Sequence, residues 1–256
     1  MPDLSFVGRY FEQTGALTVE QTDFGPVVGF SAGKLKHHNE DVARVGGFQD
    51  NLLFLAVADG HWGYQAAEYF CGPALNDLLP YLTRLMTEHE LEDCREVIAD
   101  VLDEHNNHLQ LQTGAETTLL VVCASPTKLT YLSFGDSFLY TLRRDNSTCV
   151  NNPHPVWLGG RVGADQIHDW LEVGVVEDWV KVLVASDGLP ECVYGSPTIS
   201  CEEVFNIMRG TTTTQEWVQT LCGRALEAGG EDNLAVAGLS VEDCPPSDPT
   251  KPKPSV

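Results

Sequence analysis

The chain has 256 residues, 43% of them hydrophobic, so it can bury a full core, and we expect one large domain. Its 37 acidic residues outnumber 15 basic ones for a net charge of −22, and no stretch gathers Lys and Arg into a patch, which argues against nucleic acid and anionic membrane surfaces as partners. Eight cysteines lie scattered with no Cys-x-x-Cys pair, which argues against a zinc site; most fall inside apolar runs, as small buried hydrophobes do, and a reduced cytoplasmic setting follows. No run approaches the roughly 20 apolar residues that span a bilayer, and no leader pattern opens the chain.

Residues 1–22 show no clear period and read as an irregular arm. Strand signal begins near Phe24, extends from Val27 to Ser31, and gives way to the polar loop Gly33-Lys34-Leu35-Lys36-His37-His38-Asn39-Glu40-Asp41. Val42 to Val45 resumes as a strand, and Gly46 to Asn51 reads as a hairpin-like connection. Leu52 to Ala58 is a short continuous apolar run, as expected of a strand covered on both faces. It delivers Asp59 into a turn loosened by Gly60 and Gly63, where the Asp59 carboxylate and the Gly60 carbonyl can face one ion. Taken alone, an ordinary Asp-Gly turn is the better explanation of the same residues.

After Gly63 the period becomes helical, with Ala66, Ala67, Phe70 and Cys71 on one face and Pro73 and Pro80 read as breaks. Leu91, Cys94, Ile98, Val101, Leu102, His105 and Leu109 form the stripe of a second helix lying on a sheet, with His105 at its edge rather than a ligand. Three strands follow, Thr117 to Cys123, Leu129 to Phe134 and Phe138 to Leu142, with Gly135-Asp136-Ser137 as the middle turn. Residues 144–178 read as a loop-rich excursion. Trp179 to Ala185 is a strong strand ending in Ser186-Asp187-Gly188; two helices opened by the capping boxes Ser200/Glu203 and Thr213/Glu216 come next, the second closing at Gly229-Gly230. Asp232-Asn233 leads into a last strand, Leu234 to Leu239, and the tail 244–256 reads as disordered.

Asp41, Asp59, Asp187 and Asp232 thus each stand at a strand boundary. If those strand ends converge, the carboxylates repel one another unless cations lie between them, and two divalent ions are the economical solution. Such a pair, ~3.5–4 Å apart, lowers the pKa of a bridging water and stabilises in-line displacement at phosphorus.

The blocks Gly33 to Asp41, Val57-Ala58-Asp59-Gly60-His61, Phe134-Gly135-Asp136-Ser137, Ala185-Ser186-Asp187-Gly188 and Asp232-Asn233 give the chain from Phe30 to Leu239 a resemblance to the PPM family of metal-dependent Ser/Thr protein phosphatases (type 2C-like), in a bacterial-type single-domain form. Each block is weak alone; five in order are specific. The resemblance implies an α+β fold, a central antiparallel β-sandwich flanked by helices on both sides in four layers, over residues 23–243 with a shortened flap at 144–178. It implies hydrolysis of phosphoserine and phosphothreonine monoesters by a metal-bridging hydroxide, with two Mn2+ or Mg2+ ions and a more labile third. Asp59 would bridge the pair; the Gly60 carbonyl and Asp41, with Glu40 as neighbour, would serve one ion, and Asp187 and Asp232 the other. Asp136 and Glu191, with Asp187, match the third position, and His61 matches the general acid for the leaving alkoxide. The implied partner is a phosphorylated protein within a Ser/Thr kinase pathway, and the implied state a cytoplasmic monomer.

Departures from the family pattern are specific. Its phosphate-binding arginine is Lys36 here, which keeps the charge and loses the bidentate fork, so the phosphate grip weakens; an ordinary surface lysine is the competing reading. His37 and His38 are ordinary loop histidines unless they too touch phosphate. Glu116 replaces the glycine before the Thr117-Thr118 pair. In the trimmed flap, Trp157, Arg161 and Trp170 are candidate substrate contacts, with core packing the simpler role for both tryptophans. A pseudophosphatase that keeps the fold and metal site and acts by binding a partner is the alternative reading.

Overall fold

The computed structural model describes residues 5–7, 28–32, 39–48, 52–87, 91–144, 146–190, 199–210, 213–228 and 232–241. Lys36, His37, His38 and Glu191, the Gly229-Gly230 helix end, most of the N-terminal arm and the tail 244–256 lie outside them. Two antiparallel sheets stack face to face. The first holds β1 (Ser5–Val7), β3 (Val42–Phe48), β4 (Leu52–Ala58), β7 (Leu119–Ala124), β8 (Lys128–Phe134) and β11 (Glu172–Glu177) in that spatial order. The second runs β10 (Ser147–Cys149), β9 (Phe138–Arg143), β12 (Trp179–Ala185), β13 (Leu234–Ser240) and β2 (Val28–Ala32). β5 (Gly60–His61) and β6 (Glu116–Thr117) form a small separate pair.

The layering follows from strand alternation. On β4, Leu53, Leu55 and Val57 point between the sheets against Leu120, Val122, Val182, Val184 and Ala237. Phe54, Ala56 and Ala58 point the other way, under Leu75, Leu78, Leu82, Ile98 and Leu102 of α2 (Leu75–Thr87) and α3 (Leu91–Gln110). Both faces are therefore dry, and the strand reads as one apolar run. On the opposite side Tyr140, Leu183 and Val236 pack under Val204 and Met208 of α5 (Cys201–Gly210) and Trp217, Val218 and Leu221 of α6 (Thr214–Glu227). The order is helix, sheet, sheet, helix, the four-layer α+β architecture that the motifs implied.

The structure differs from the sequence reading at Ser5–Val7, at Pro80 and in the excursion 144–178, and agrees with it at Pro73. Ser5–Val7, in the segment read as an irregular arm, pairs with the free edge of β3; three residues are too short to show a period. Pro73 sits in a π-turn, Phe70–Ala74, kinked at Gly72 after α1 (Gln65–Tyr69), as a break should. Pro80 does not break α2, because the ring lies in a helix whose remaining face is fixed by the packing of Leu78, Leu79 and Leu82. The excursion 144–178 contains β10, α4 (Ala164–Trp170) and β11, which pairs with β8 over six residues and closes the sheet edge.

Candidate metal centre

Strand register decides where the acidic residues go. Val42 faces Ala58, Leu119 faces Phe134, Ala185 faces Phe138 and Leu234 faces Ala32, each pair at the end of its ladder. The turn 135–137 carries the chain from β8 in one sheet to β9 in the other, so these ends share one rim of the sandwich. Asp41 immediately precedes Val42 and Asp59 immediately follows Ala58. Asp136 lies in the crossing turn, Asp187 two residues after Ala185 and Asp232 two before Leu234. Five carboxylates from both sheets therefore meet at one edge.

Two close backbone approaches tighten the rim. A Cβ on Gly60 would stand 2.3 Å from the Glu40 carbonyl oxygen, and one on Gly188 would stand 1.8 Å from that of Asn233. Only glycine lets the Asp59 turn lie on the Asp41 strand and the Asp187 turn on the Asp232 segment.

Buried hydroxyls hold the carboxylates in place. Thr118 Oγ1 accepts from the Asp59 backbone N–H at 2.9 Å and lies 2.8 Å from Ser137 Oγ, while Thr117 Oγ1 donates to the Asp59 carbonyl at 2.8 Å. Ser186 Oγ donates to Asp41 Oδ2 at 2.7 Å and accepts from the Ala235 N–H at 2.9 Å, tying one sheet to the other beside the acidic cluster. Asp232 Oδ1 accepts from the Asn233 N–H at 2.8 Å.

Both Asp59 carboxylate oxygens and Asp187 Oδ1 are buried, and no group outside this pair of acids donates a hydrogen bond to them. Burial, then the Asp41 and Asp187 carboxylates, push the Asp59 carboxyl well above its ordinary value. Burial pushes Asp187 up to about 6, with Asp232 and Asp136 adding to it and a hydrogen bond from Asp59 opposing. Asp136 is also raised by burial, against a hydrogen bond from Trp157. Buried, mutually repelling oxygens with no outside donors are the donor set of a hard divalent cation. Among the described residues no three His, Cys, Asp or Glu side chains are drawn together tightly enough to hold an ion unaided. A hard cation such as Mg2+ is commonly held by one or two carboxylates with waters completing its shell, which is the kind of donor set that Asp59 and Asp187 offer.

His61 stands beside this cluster, its Nδ1 3.7 Å from Asp59 Oδ1 and its ring 4.6 Å from the Trp157 ring. Trp157 also donates from Nε1 to Asp136 Oδ1 at 3.3 Å, so it buttresses the site rather than filling the core. Trp170 is likewise not a core residue: it is half exposed and packs against His154. Arg161 is exposed, and the Glu116 carboxylate packs against Gly160. His105 is held between the Tyr69 hydroxyl (2.8 Å) and Asp77 (3.1 Å), away from the rim. The sequence reading passed over Thr118 and Ser186 as site residues although both lie beside or within the quoted blocks. Nothing in sequence spacing ties Trp157 to His61.

Known proteins resemble the chain in the same sense. It is 26% identical over 229 residues to the serine/threonine phosphatase stp of Listeria monocytogenes serotype 4b (strain F2365), covering 80% of this chain and 90% of that protein. The S. agalactiae serine/threonine phosphatase superposes with a TM-score of 0.64 at 18% identity, over 84% of this chain and 98% of that one. Serine-threonine phosphatase 2C from Toxoplasma gondii gives 0.60 at 14% identity, over 93% and 99%. No family model matches the chain.

Proposed function

We propose that the chain is a metal-dependent serine/threonine protein phosphatase, with residues 23–243 and the edge strand Ser5–Val7 as its phosphatase domain. The observation that supports this most is the buried Asp59 and Asp187 pair, without outside donors, within a rim of five acidic side chains. Asp41, Asp59, Asp187 and Asp232, with the Gly60 carbonyl, would hold two Mn2+ or Mg2+ ions, and Asp136 with Asp187 and Glu191 a third. When bound, the ions supply Lewis acidity and a water acidified enough to attack phosphorus at neutral pH.

The protein's own groups do the rest. Ser186 and Thr118 hold the Asp41 side chain and the Asp59 backbone where charge is needed, so little reorganisation accompanies reaction. His61, steadied by Trp157 and with Nδ1 turned to Asp59, would offer Nε2 as the proton donor to the departing serine or threonine oxygen. Lys36 would neutralise substrate phosphate as a point charge. The substrate is then the product of a Ser/Thr kinase, and the working form a cytoplasmic monomer.

Hydrolysis of p-nitrophenyl phosphate and of a phosphoserine peptide with excess Mn2+ tests the reading. Asp59→Asn and Asp187→Asn should each lower kcat by at least a hundredfold. Lys36→Ala should raise KM with little change in fold. No turnover above background by the wild-type chain, with Mn2+ shown to bind by calorimetry, would favour the pseudophosphatase reading instead.

A further inference from the structure

Trp62 is the residue that the site as described leaves unused. It follows His61 in the turn between β5 and α1, its backbone is left-handed at φ 62°, and its side chain is 82% exposed, far more than any other described tryptophan. A left-handed conformation costs a non-glycine residue roughly 1–2 kcal/mol, and an indole in water gains nothing from burial. Local folding needs neither expense, since a glycine would make this turn without strain. Strain held beside a reactive group, with a large flat side chain facing solvent, marks a contact surface.

The surroundings define what that surface takes. Glu116 lies across the β5–β6 pair from His61, its carboxylate against Gly160 next to the exposed Arg161, and Glu68 stands in the first turn of α1. The whole molecule carries −22. An exposed indole on a molecule of this net charge, beside a strand pair that carries Glu116, is a receptor for a cation, through the ring's electron-rich face. We propose that Trp62 docks a cationic side chain flanking the phosphorylated residue of a protein substrate, making it a specificity-determining residue of this rim; the proposal rests on the phosphatase reading.

The experiment uses two phosphoserine peptides, one with Arg beside the phosphoserine and one with Ala there, on the full chain with Mn2+ at 0.5 M salt to screen the long-range field. The wild type should favour the Arg peptide by about two- to fivefold in kcat/KM. Trp62→Gly should bring that ratio to about one, and Trp62→Phe should retain part of it. Trp62→Gly relieves the backbone, so its thermal midpoint should equal or exceed that of the wild type. No preference in the wild type, or the same preference in Trp62→Gly, overturns the proposal. Should the wild type hydrolyse neither peptide, the phosphatase reading falls, and calorimetry with non-hydrolysable phosphonate versions decides the docking separately: Trp62→Gly weakening only the Arg peptide supports it, and equal affinities for the two peptides overturn it.

Discussion

Thr118 shows how much of the rim depends on one hydroxyl. Its Oγ1 accepts from the Asp59 backbone and meets Ser137, and all three groups are buried. Thr118→Val keeps the shape and leaves the Asp59 N–H and the Ser137 hydroxyl without this partner, which should cost about 1–3 kcal/mol in chemical denaturation and lower kcat by loosening Asp59. Asp187 gives a prediction of opposite character. Its carboxyl titrates at about 6 in the folded protein, above the ordinary carboxylate range, so the folded state holds the proton more tightly than the unfolded chain. Its contribution to stability is therefore fully present at low pH and is lost as pH rises toward and through about 6; Asp59, raised further by burial and its acidic neighbours, adds in the same sense. In chelator-treated protein, the thermal midpoint measured from pH 5 to 7 should fall across this window. Asp187→Asn should flatten that slope, and a slope identical to wild type would show that the site does not carry it.

Among elements, the Asp187 turn and the start of β13 are the most closely fitted. Gly188→Ala would drive a methyl into the Asn233 carbonyl, and with backbone on both sides neither can yield without moving Asp232. Destabilisation of about 1–3 kcal/mol is expected, together with weaker Mn2+ binding by calorimetry. β4 explains why element type was legible: with Leu53, Leu55 and Val57 facing one core and Phe54, Ala56 and Ala58 another, continuous hydrophobicity is the direct consequence of being covered twice. β11 was not legible for the converse reason. It lies at a sheet edge with Val175 and Glu177 exposed, so its apolar signal is diluted, and it is a strand only because β8 offers a free ladder. Pro80 was misread because a helix-interior proline loses a backbone bond, a local cost that the buried leucines around it outweigh.

For the molecule as a whole, the folded state gathers negative charge at one end of a sandwich whose three apolar layers hold it together, so a cation bound there would stabilise the fold. Mn2+ at about a hundred times its dissociation constant should stabilise the fold by roughly 2.7 kcal/mol, a rise of about 5–10 °C in thermal midpoint for a chain of this size. An unchanged midpoint would sink the metal-centre reading. No described helix is long and apolar enough to cross a membrane. Cys71, Cys94, Cys123, Cys149, Cys201 and Cys222 are free thiols, and burial pushes Cys71 and Cys123 up to about 12, which suits inert core residues.

The sequence by itself determined the strand ends, the acidic residues at them and the order of the motif blocks, because hydrophobic periodicity and turn chemistry are local properties of neighbouring residues. Only the tertiary structure decided that Ser186 ties Asp41 to the other sheet, that Trp157 steadies His61, and that Trp62 stands strained in solvent. Those facts depend on strand register and on contacts between residues up to 145 positions apart, and no local pattern encodes which distant side chain will arrive.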